Sequence, residues 1–449
     1  MEKLRTPRRT AYEILKKIGE QGSFSNLAIK DELNNNHFRD IDRNLITDMV
    51  YGTLENQIRI DWVIQQYVKN NKIANAIRFI LRLGIYQILF LDKVPDSAAC
   101  NEAVKLTKEI GKEKVSGFVN GLLRNIIRNK NIIQYPDKET DPILYLSIMY
   151  SYPEWLVCEW INEYGFDFTE EMVAYKKIEY RTSIRPNLLK ITQEEWEALL
   201  HDRNIDYKRG KWVQNAYYIN HINKIIKDPI YAHGLCSIQS ESSMLVAKIL
   251  DPKPGQLILD ACSAPGGKAA YMAEIALERA SIYACDIYTH RVDLIQKNMN
   301  RLDITSVKTY IENAQIRNPD FINTFDSVLL DVPCSGYGVV NKKPDIKYKK
   351  TINEIIDLSM VQKNILAVCS QYVKLGGTLV YSTCTIMKKE NEEVINHFLQ
   401  NNTNFMIDDI EKYIATTFLK NRCLNGYIQI IPHLDGIDGF FICKLKRIA

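Results

Sequence analysis

Ten cysteines are spread over 449 residues without one C-x-x-C pair, so neither a structural zinc site nor a disulfide framework is indicated. No apolar stretch is long enough to cross a membrane: the longest, 85–91, is interrupted by Gln87 and flanked by Arg82 and Asp92. The opening MEKLRTPRRT lacks the apolar centre of a secretory signal. The dinucleotide fingerprint G-x-G-x-x-G is also missing, which weighs against a dehydrogenase. Internal repeats and low-complexity tracts are absent. Charge of one sign is not in excess, and a net charge of +4 permits a polyanionic partner without requiring one. These absences describe a metal-free protein with reduced thiols, expected in the cytoplasm as a monomer.

What is present is globular, with 46% hydrophobic and 25% charged residues. The length exceeds what one core usually serves and suggests two or three domains. Residues 1–130 read as helices only. Val119, Leu122, Leu123, Ile126 and Ile127 recur at helical spacing, and 45–54 and 77–91 carry similar stripes. Arg5, Arg8, Arg9, Arg78, Arg82, Arg124, Arg128 and Lys130 lie off those stripes, as ordinary solvated surface or as an RNA-binding face. Residues 131–234 form a linker and a small α+β connecting domain. Strands are expected at 182–189, 212–213 and 217–219, and Thr192 with Glu195 has the spacing of a capping box. From 235 to 449 strands and helices alternate, the pattern of a doubly wound, mostly parallel sheet. Its strands fit 257–260, 281–285, 307–310, 326–330 and 378–382, and 428–432 with 439–445 fits a closing antiparallel hairpin.

Two of these strands run into cysteine: 326–330 into Asp331-Val332-Pro333-Cys334, and 378–382 into Thr383-Cys384. A solitary cysteine is ordinarily a small buried hydrophobe. Ligands of an open α/β sheet, however, bind outside the carboxyl ends of its strands, so these two thiols should face one crevice. Two nucleophilic sulfurs over one pocket suggest covalent chemistry. A third strand, 257–260, leads through Ala261-Cys262-Ser263-Ala264-Pro265-Gly266-Gly267-Lys268 into a helix. Such a glycine-bearing turn lets backbone approach a ligand. Asp286 ends the next strand, where a carboxylate takes ribose hydroxyls. A ribose-bearing cofactor without pyrophosphate fits, and S-adenosylmethionine answers that description.

The cofactor turn, Asp331-Val332-Pro333-Cys334-Ser335-Gly336 and Ser382-Thr383-Cys384-Thr385, in this order, resemble the motifs of RNA cytosine-C5 methyltransferases. The N-terminal part, through Phe24-Ser25-Asn26, Leu83-Gly84-Ile85-Tyr86-Gln87 and Phe118-Val119-Asn120-Gly121-Leu122-Leu123-Arg124, resembles the NusB-like RNA-binding domain. Together they resemble the bacterial small-subunit rRNA cytosine-C5 methyltransferases of the B type. The resemblance implies a Rossmann-like class I methyltransferase domain, S-adenosylmethionine as cofactor and 16S ribosomal RNA as partner. It implies that Cys262, Ser263, Ala264, Pro265, Gly266, Gly267, Lys268, Asp286, Asn313 and Asp331 line the cofactor pocket, and that Cys384 is the nucleophile. Asn313 stands where the family usually has an acid, and Val332 where it has alanine.

Within that chemistry Cys334 is the candidate for releasing the carbon 5 proton, Asp331 for holding the base edge, and Lys268 for a second contact to the base or the nucleophile. Lys342, Lys343, Lys347, Lys349 and Lys350, with Tyr337 and Tyr348 for stacking, are expected to grip RNA. Two other readings compete. One is an RNA-binding assembly or antitermination factor with a non-catalytic methyltransferase scaffold. The other is DNA cytosine methylation, in which the cysteine after proline, Cys334, would be the nucleophile.

Overall fold

The computed structural model describes residues 6–68, 72–176, 182–220, 222–414, 423 and 426–449. The chain divides into two compact units, Met1–Ala174 with Val340–Lys350, and Tyr175–Val339 with Thr351–Ala449.

The first unit is helical. Pro7–Gln21, Ser25–Asn34, Asp40–Glu55, Gln57–Tyr67, Asn75–Phe90, Asp96–Glu109 and Ser116–Asn129 bury the stripes seen in the sequence, including Ile80, Ile85, Val119 and Ile126, in one core. The stretch that reads as mixed beyond 130 is helical as well, with Pro142–Tyr150, Glu154–Tyr164 and Phe166–Ala174. Several cations of the anticipated RNA face are held within the unit. Arg8 donates to Gln87 at 2.8 Å, Arg82 pairs with Asp61 at 2.6 Å and Lys130 with Asp96 at 2.8 Å. Arg5 lies outside the described residues.

The lysine segment behaves differently from its expectation. Residues 340–350 pack into this helical unit, and Lys347 is only 5% exposed. Its ammonium donates to the carbonyls of Glu55 and Tyr150 at 3.3 and 3.1 Å and sits 3.8 Å from the Tyr152 ring centre. Tyr348 donates its hydroxyl to the Leu54 and Ser151 carbonyls. Asp345, 2% exposed, accepts from the Ser25 amide and hydroxyl and pairs with Lys349 at 3.0 Å. Carbonyls at helix ends lack partners within the helix, and a lysine or tyrosine can answer them. Lys347 and Tyr348 are therefore structural ties, and Tyr337 is also buried, which removes both tyrosines as stacking platforms.

The second unit opens with a small antiparallel sheet of order β2-β3-β1-β4, built from β1 (Thr182–Pro186), β2 (Tyr207–Arg209), β3 (Tyr217–Ile219) and β4 (Cys236–Ile238). The capping box of Thr192 and Glu195 starts the helix Gln193–Asp202. The expected strand at 212–213 is a turn instead, because the amides of Trp212 and Val213 both donate to the buried Glu241 carboxylate, at 2.5 and 2.7 Å.

The main sheet is Rossmann-like and doubly wound. It contains β5 (Leu257–Asp260), β6 (Ser281–Asp286), β7 (Val307–Ile311), β8 (Phe325–Asp331), β9 (Val373–Thr383), β10 (Phe405–Ile407), β11 (Tyr427–Ile430) and β12 (Phe440–Arg447). The order is β10-β12-β9-β8-β5-β6-β7, parallel from β9 through β7, with β11 also pairing β12. Alternate residues face opposite layers. Ile258, Ala284, Leu329 and Val380 join the core under the helices Glu241–Leu250, Gly267–Ile275 and Thr289–Leu302. Leu259, Cys285, Val328 and Leu379 meet the helices Ile352–Ser370 and Glu392–Asn401. The anticipated hairpin is β11–β12, but β12 also pairs antiparallel with β9, Phe441 opposite Thr383. No helix among the described residues is long and apolar enough to cross a membrane.

Candidate active site

Five neighbouring strands, β7-β6-β5-β8-β9, bring their carboxyl ends to one edge, and every sequence-selected site residue lies at or just beyond one of those ends. Beyond β5 the turn closes through the Gly266 amide to the Ser263 carbonyl, 2.7 Å, while the Ser263 amide reaches the Cys285 carbonyl at 2.8 Å. Gly266 has φ +91°, a left-handed backbone that a side chain resists, and a Cβ there would press on Ile295 and Met299. Cys262 is half-buried and its thiol is pushed up by burial; Pro265 is exposed, and the Ala264 carbonyl accepts from Arg291 at 3.3 Å. Asp286, 3% exposed, has Arg291 at 3.4 Å. Asn313 is half-buried; its side-chain oxygen accepts from the Gln315 amide at 3.0 Å, and it lines a small cleft together with Ala261 and Cys285.

Asp331 and the thiols close the other side. Asp331 Oδ2 accepts from Lys268 Nζ at 2.6 Å and Oδ1 from Ser382 Oγ at 2.9 Å. Lys268 therefore faces a carboxylate, with the Phe440 ring centre 5.3 Å from its ammonium. Asp331 and Ser382 are register partners on β8 and β9, so Cys334 and Cys384, three and two residues farther on, converge: their sulfurs are 3.3 Å apart. The Gly338 amide also donates to the Cys384 carbonyl, 3.0 Å, and a Cβ on Gly338 would collide with the Gly439 carbonyl, so only glycine lets the loops approach. The Cys334 thiol is held well above its ordinary value, first by its hydrogen bond to Cys384 and then by burial.

One group at this edge escaped the sequence reading. Asp260, the last residue of β5, is fully buried, and neither its oxygens nor the Ser263 hydroxyl makes a hydrogen bond of good geometry among the described residues. Burial pushes its carboxyl up to about 7, with Asp331 and Asp286 adding to the rise and Ser263 and Lys268 opposing it. Buried polar groups are nearly always answered. Unanswered ones beside a glycine turn and three carboxylates suit a ligand bringing both hydrogen-bond donors and positive charge, as the ammonium and sulfonium of S-adenosylmethionine do. Among the described residues no cluster of three or more His, Cys, Asp or Glu is placed to hold a metal.

Comparison with known proteins agrees with this architecture. The family described as 16S rRNA methyltransferase RsmB/F matches residues 247–446, the NusB family residues 5–128, and the RsmF/B-like ferredoxin-like domain residues 152–225. A probable ribosomal RNA small subunit methyltransferase B of Bacillus subtilis is 38% identical over 445 residues, covering 97% of this chain and 98% of the relative. The chain belongs to the small-subunit ribosomal RNA methyltransferase B family. A second member, from Synechocystis, is 33% identical over 98% of this chain and 99% of its own length. The crystal structure of PH0851 superposes with a TM-score of 0.82 at 26% identity, over 99% of this chain and 100% of that one.

For this member of the family, sequence reasoning missed the groups that support the thiols: Gln362, Glu390 and Asn391, all fully buried. Two of them fall in what reads as one helix, 388–399. The structure instead makes a short 3₁₀ turn, Lys388–Glu390, and starts the helix at Glu392, freeing Glu390 and Asn391 to turn toward the loops. Two polar residues at a helix start were the one available signal.

Proposed function

We propose that this chain is an S-adenosylmethionine-dependent methyltransferase that methylates carbon 5 of a cytosine in 16S ribosomal RNA through a covalent bond between Cys384 and the base. The observation that carries the reading is the 3.3 Å approach of two half-buried thiols at adjacent strand ends, beside a left-handed glycine turn. The relatives' names supply the class of RNA. The residues that would hold the cofactor are those of the turn from Cys262 to Lys268, with Asp286, Asn313 and Asp331. When bound, S-adenosylmethionine supplies an electrophilic methyl group.

The remaining work falls to the chain. The target base must leave its stack before a sulfur can reach the ring. Asp331, oriented by Lys268 and Ser382, meets the polar edge of the base and steadies the charge that develops there. The Cys384 thiolate then adds to carbon 6, which breaks the aromatic ring and makes carbon 5 nucleophilic. Cys334 keeps its proton at this stage, because its hydrogen bond with the Cys384 sulfur and its burial both hold the thiol well above its ordinary value. Once that sulfur has become a thioether the bond is weakened, and Cys334 ionises more readily. It can then take the carbon 5 proton, and the Cys384–carbon 6 bond breaks to restore the ring.

The test is incubation with labelled S-adenosylmethionine and, separately, transfer RNA, small-subunit RNA and large-subunit RNA, followed by mapping of the modified base. Label at carbon 5 of a cytosine in small-subunit RNA is expected, and C384A should abolish it while still binding the cofactor. Activity that survives in C384A but not in C334A would assign the nucleophile to Cys334. No transfer to any RNA would favour a non-catalytic assembly factor.

A further inference from the structure

Each thiol is flanked by residues tied to a buried polar cluster that takes no part in the chemistry outlined above. On the Cys334 side, Ser335 donates its amide to Glu390 Oε1 at 2.9 Å and its hydroxyl to Oε2 at 2.5 Å. Gln362 Nε2 bridges Glu390 Oε1, 3.0 Å, and the Pro333 carbonyl, 2.9 Å. On the Cys384 side, Thr383 donates its hydroxyl to Asn391 Oδ1 at 2.6 Å, and Asn391 Nδ2 donates to the Thr385 carbonyl at 3.2 Å. The two halves meet where the Ser335 and Thr385 hydroxyls lie 2.8 Å apart. So the residues before and after each cysteine are gripped: Pro333 by Gln362, Ser335 by Glu390, and Thr383 and Thr385 by Asn391, the residue that follows Glu390.

The burial of this cluster is the second part of the argument. Gln362, Thr383, Thr385, Glu390 and Asn391 are all 0% exposed. Placing a carboxylate and two amides in a dry interior is unfavourable unless their geometry is fully used, and apolar side chains would fill the same space more easily. Hydrogen bonds specify direction, which apolar contacts do not. What this cluster specifies is the relative placement of two loops whose sulfurs must act at the two carbons of one ring bond.

We propose that Glu390 and Asn391 are positioning residues that hold the Cys334 and Cys384 loops in register before RNA arrives. This rests on the covalent reading above. Displacing a reacting group by about an ångström can lower a rate about a hundredfold, which sets the expected size of the effect.

The experiment uses the full chain and two readouts, one of which needs neither RNA nor cofactor. Diamide oxidises a close thiol pair: the two sulfurs join, and their two hydrogens reduce the diazene to a hydrazine. Wild-type protein should give the Cys334–Cys384 cross-link, identified by peptide mass, and E390Q and N391A should give it at least about tenfold more slowly. In methyl transfer the same variants should lose about a hundredfold in kcat with the KM for S-adenosylmethionine within about twofold. Melting curves check folding; should E390Q fail to fold, S335A, which removes one hydroxyl, carries the same expectation at about tenfold in kcat. Cross-linking and kcat at wild-type values in folded E390Q, or in S335A and N391A, would overturn the proposal, as would a wild-type chain that does not cross-link. If wild-type protein methylates no RNA, the covalent reading falls, and the cross-linking rates still judge the positioning.

Discussion

Residues 331–339 and 340–350 follow one another directly, yet they belong to different compact units and treat charge in opposite ways. In 340–350 the buried charges are answered by their own neighbourhood: Asp345 by Ser25 and Lys349, Lys347 by two backbone carbonyls and an aromatic face. In 331–339 Asp331 is bound by Lys268 and Ser382 but remains part-exposed, and the carboxyl of Asp260, at the end of β5, makes no hydrogen bond of good geometry among the described residues. A charged residue serves the fold when every donor and lone pair around it is used. It serves a ligand when something near it is left over.

That contrast can be tested from both sides. The largest effect is expected from C334A. Turnover should fall about a hundred- to ten-thousandfold, and a covalent protein–RNA adduct should accumulate on denaturing gels, with the melting temperature unchanged. K268M comes next: without its cation, Asp331 loses its orientation, and kcat should drop about a hundredfold in steady-state assays while the fold is kept. D345A should do the reverse. It leaves the buried Ser25 amide and hydroxyl without their acceptor, while Lys349 keeps the Gly22 and Ser23 carbonyls, so thermal or urea unfolding should show a loss of about 2 kcal/mol, with kcat of the folded protein within about twofold of wild type.

The last effect bears on stability alone and concerns Asp260. Its carboxyl rises from the usual value near 4 to about 7 on folding, so between those values the folded chain binds more protons than the unfolded one. Stability without cofactor should therefore be fullest below about pH 4 as far as this group is concerned, and should decline by up to about 1.4 kcal/mol per pH unit as pH rises toward 7. D260N should flatten that part of a pH series of melting temperatures. An unchanged slope would remove the buried charge as its cause.

The parallel strands and the hairpin were readable because each is an apolar run bounded by turn residues, and the capping box of Thr192 and Glu195 because its spacing is local. The cysteines and the glycine turn were readable for the same reason: each ends a strand, and strand ends of such a sheet share one edge. Strands β2, β4 and β10 were not, since each is three residues long and, unlike Tyr217–Ile219, lacks a run of aromatic and branched side chains. Lys347 and Tyr348 were misjudged because nothing in KKPDIKYKK reveals that helix-end carbonyls nearly three hundred residues earlier await them. Glu390 was invisible for a similar reason, as its partners Gln362 and Ser335 lie 28 and 55 residues away.

The placement of β12 has a consequence for synthesis. The strand that ends in Cys384 is flanked on one side by β8, made earlier, and on the other by Phe440–Arg447, made later. During translation β9 must wait as an open edge, which is prone to pair wrongly, and Lys268 must wait for the ring of Phe440. The sheet around the Cys384 loop is therefore complete only once Phe440–Arg447 has paired with β9.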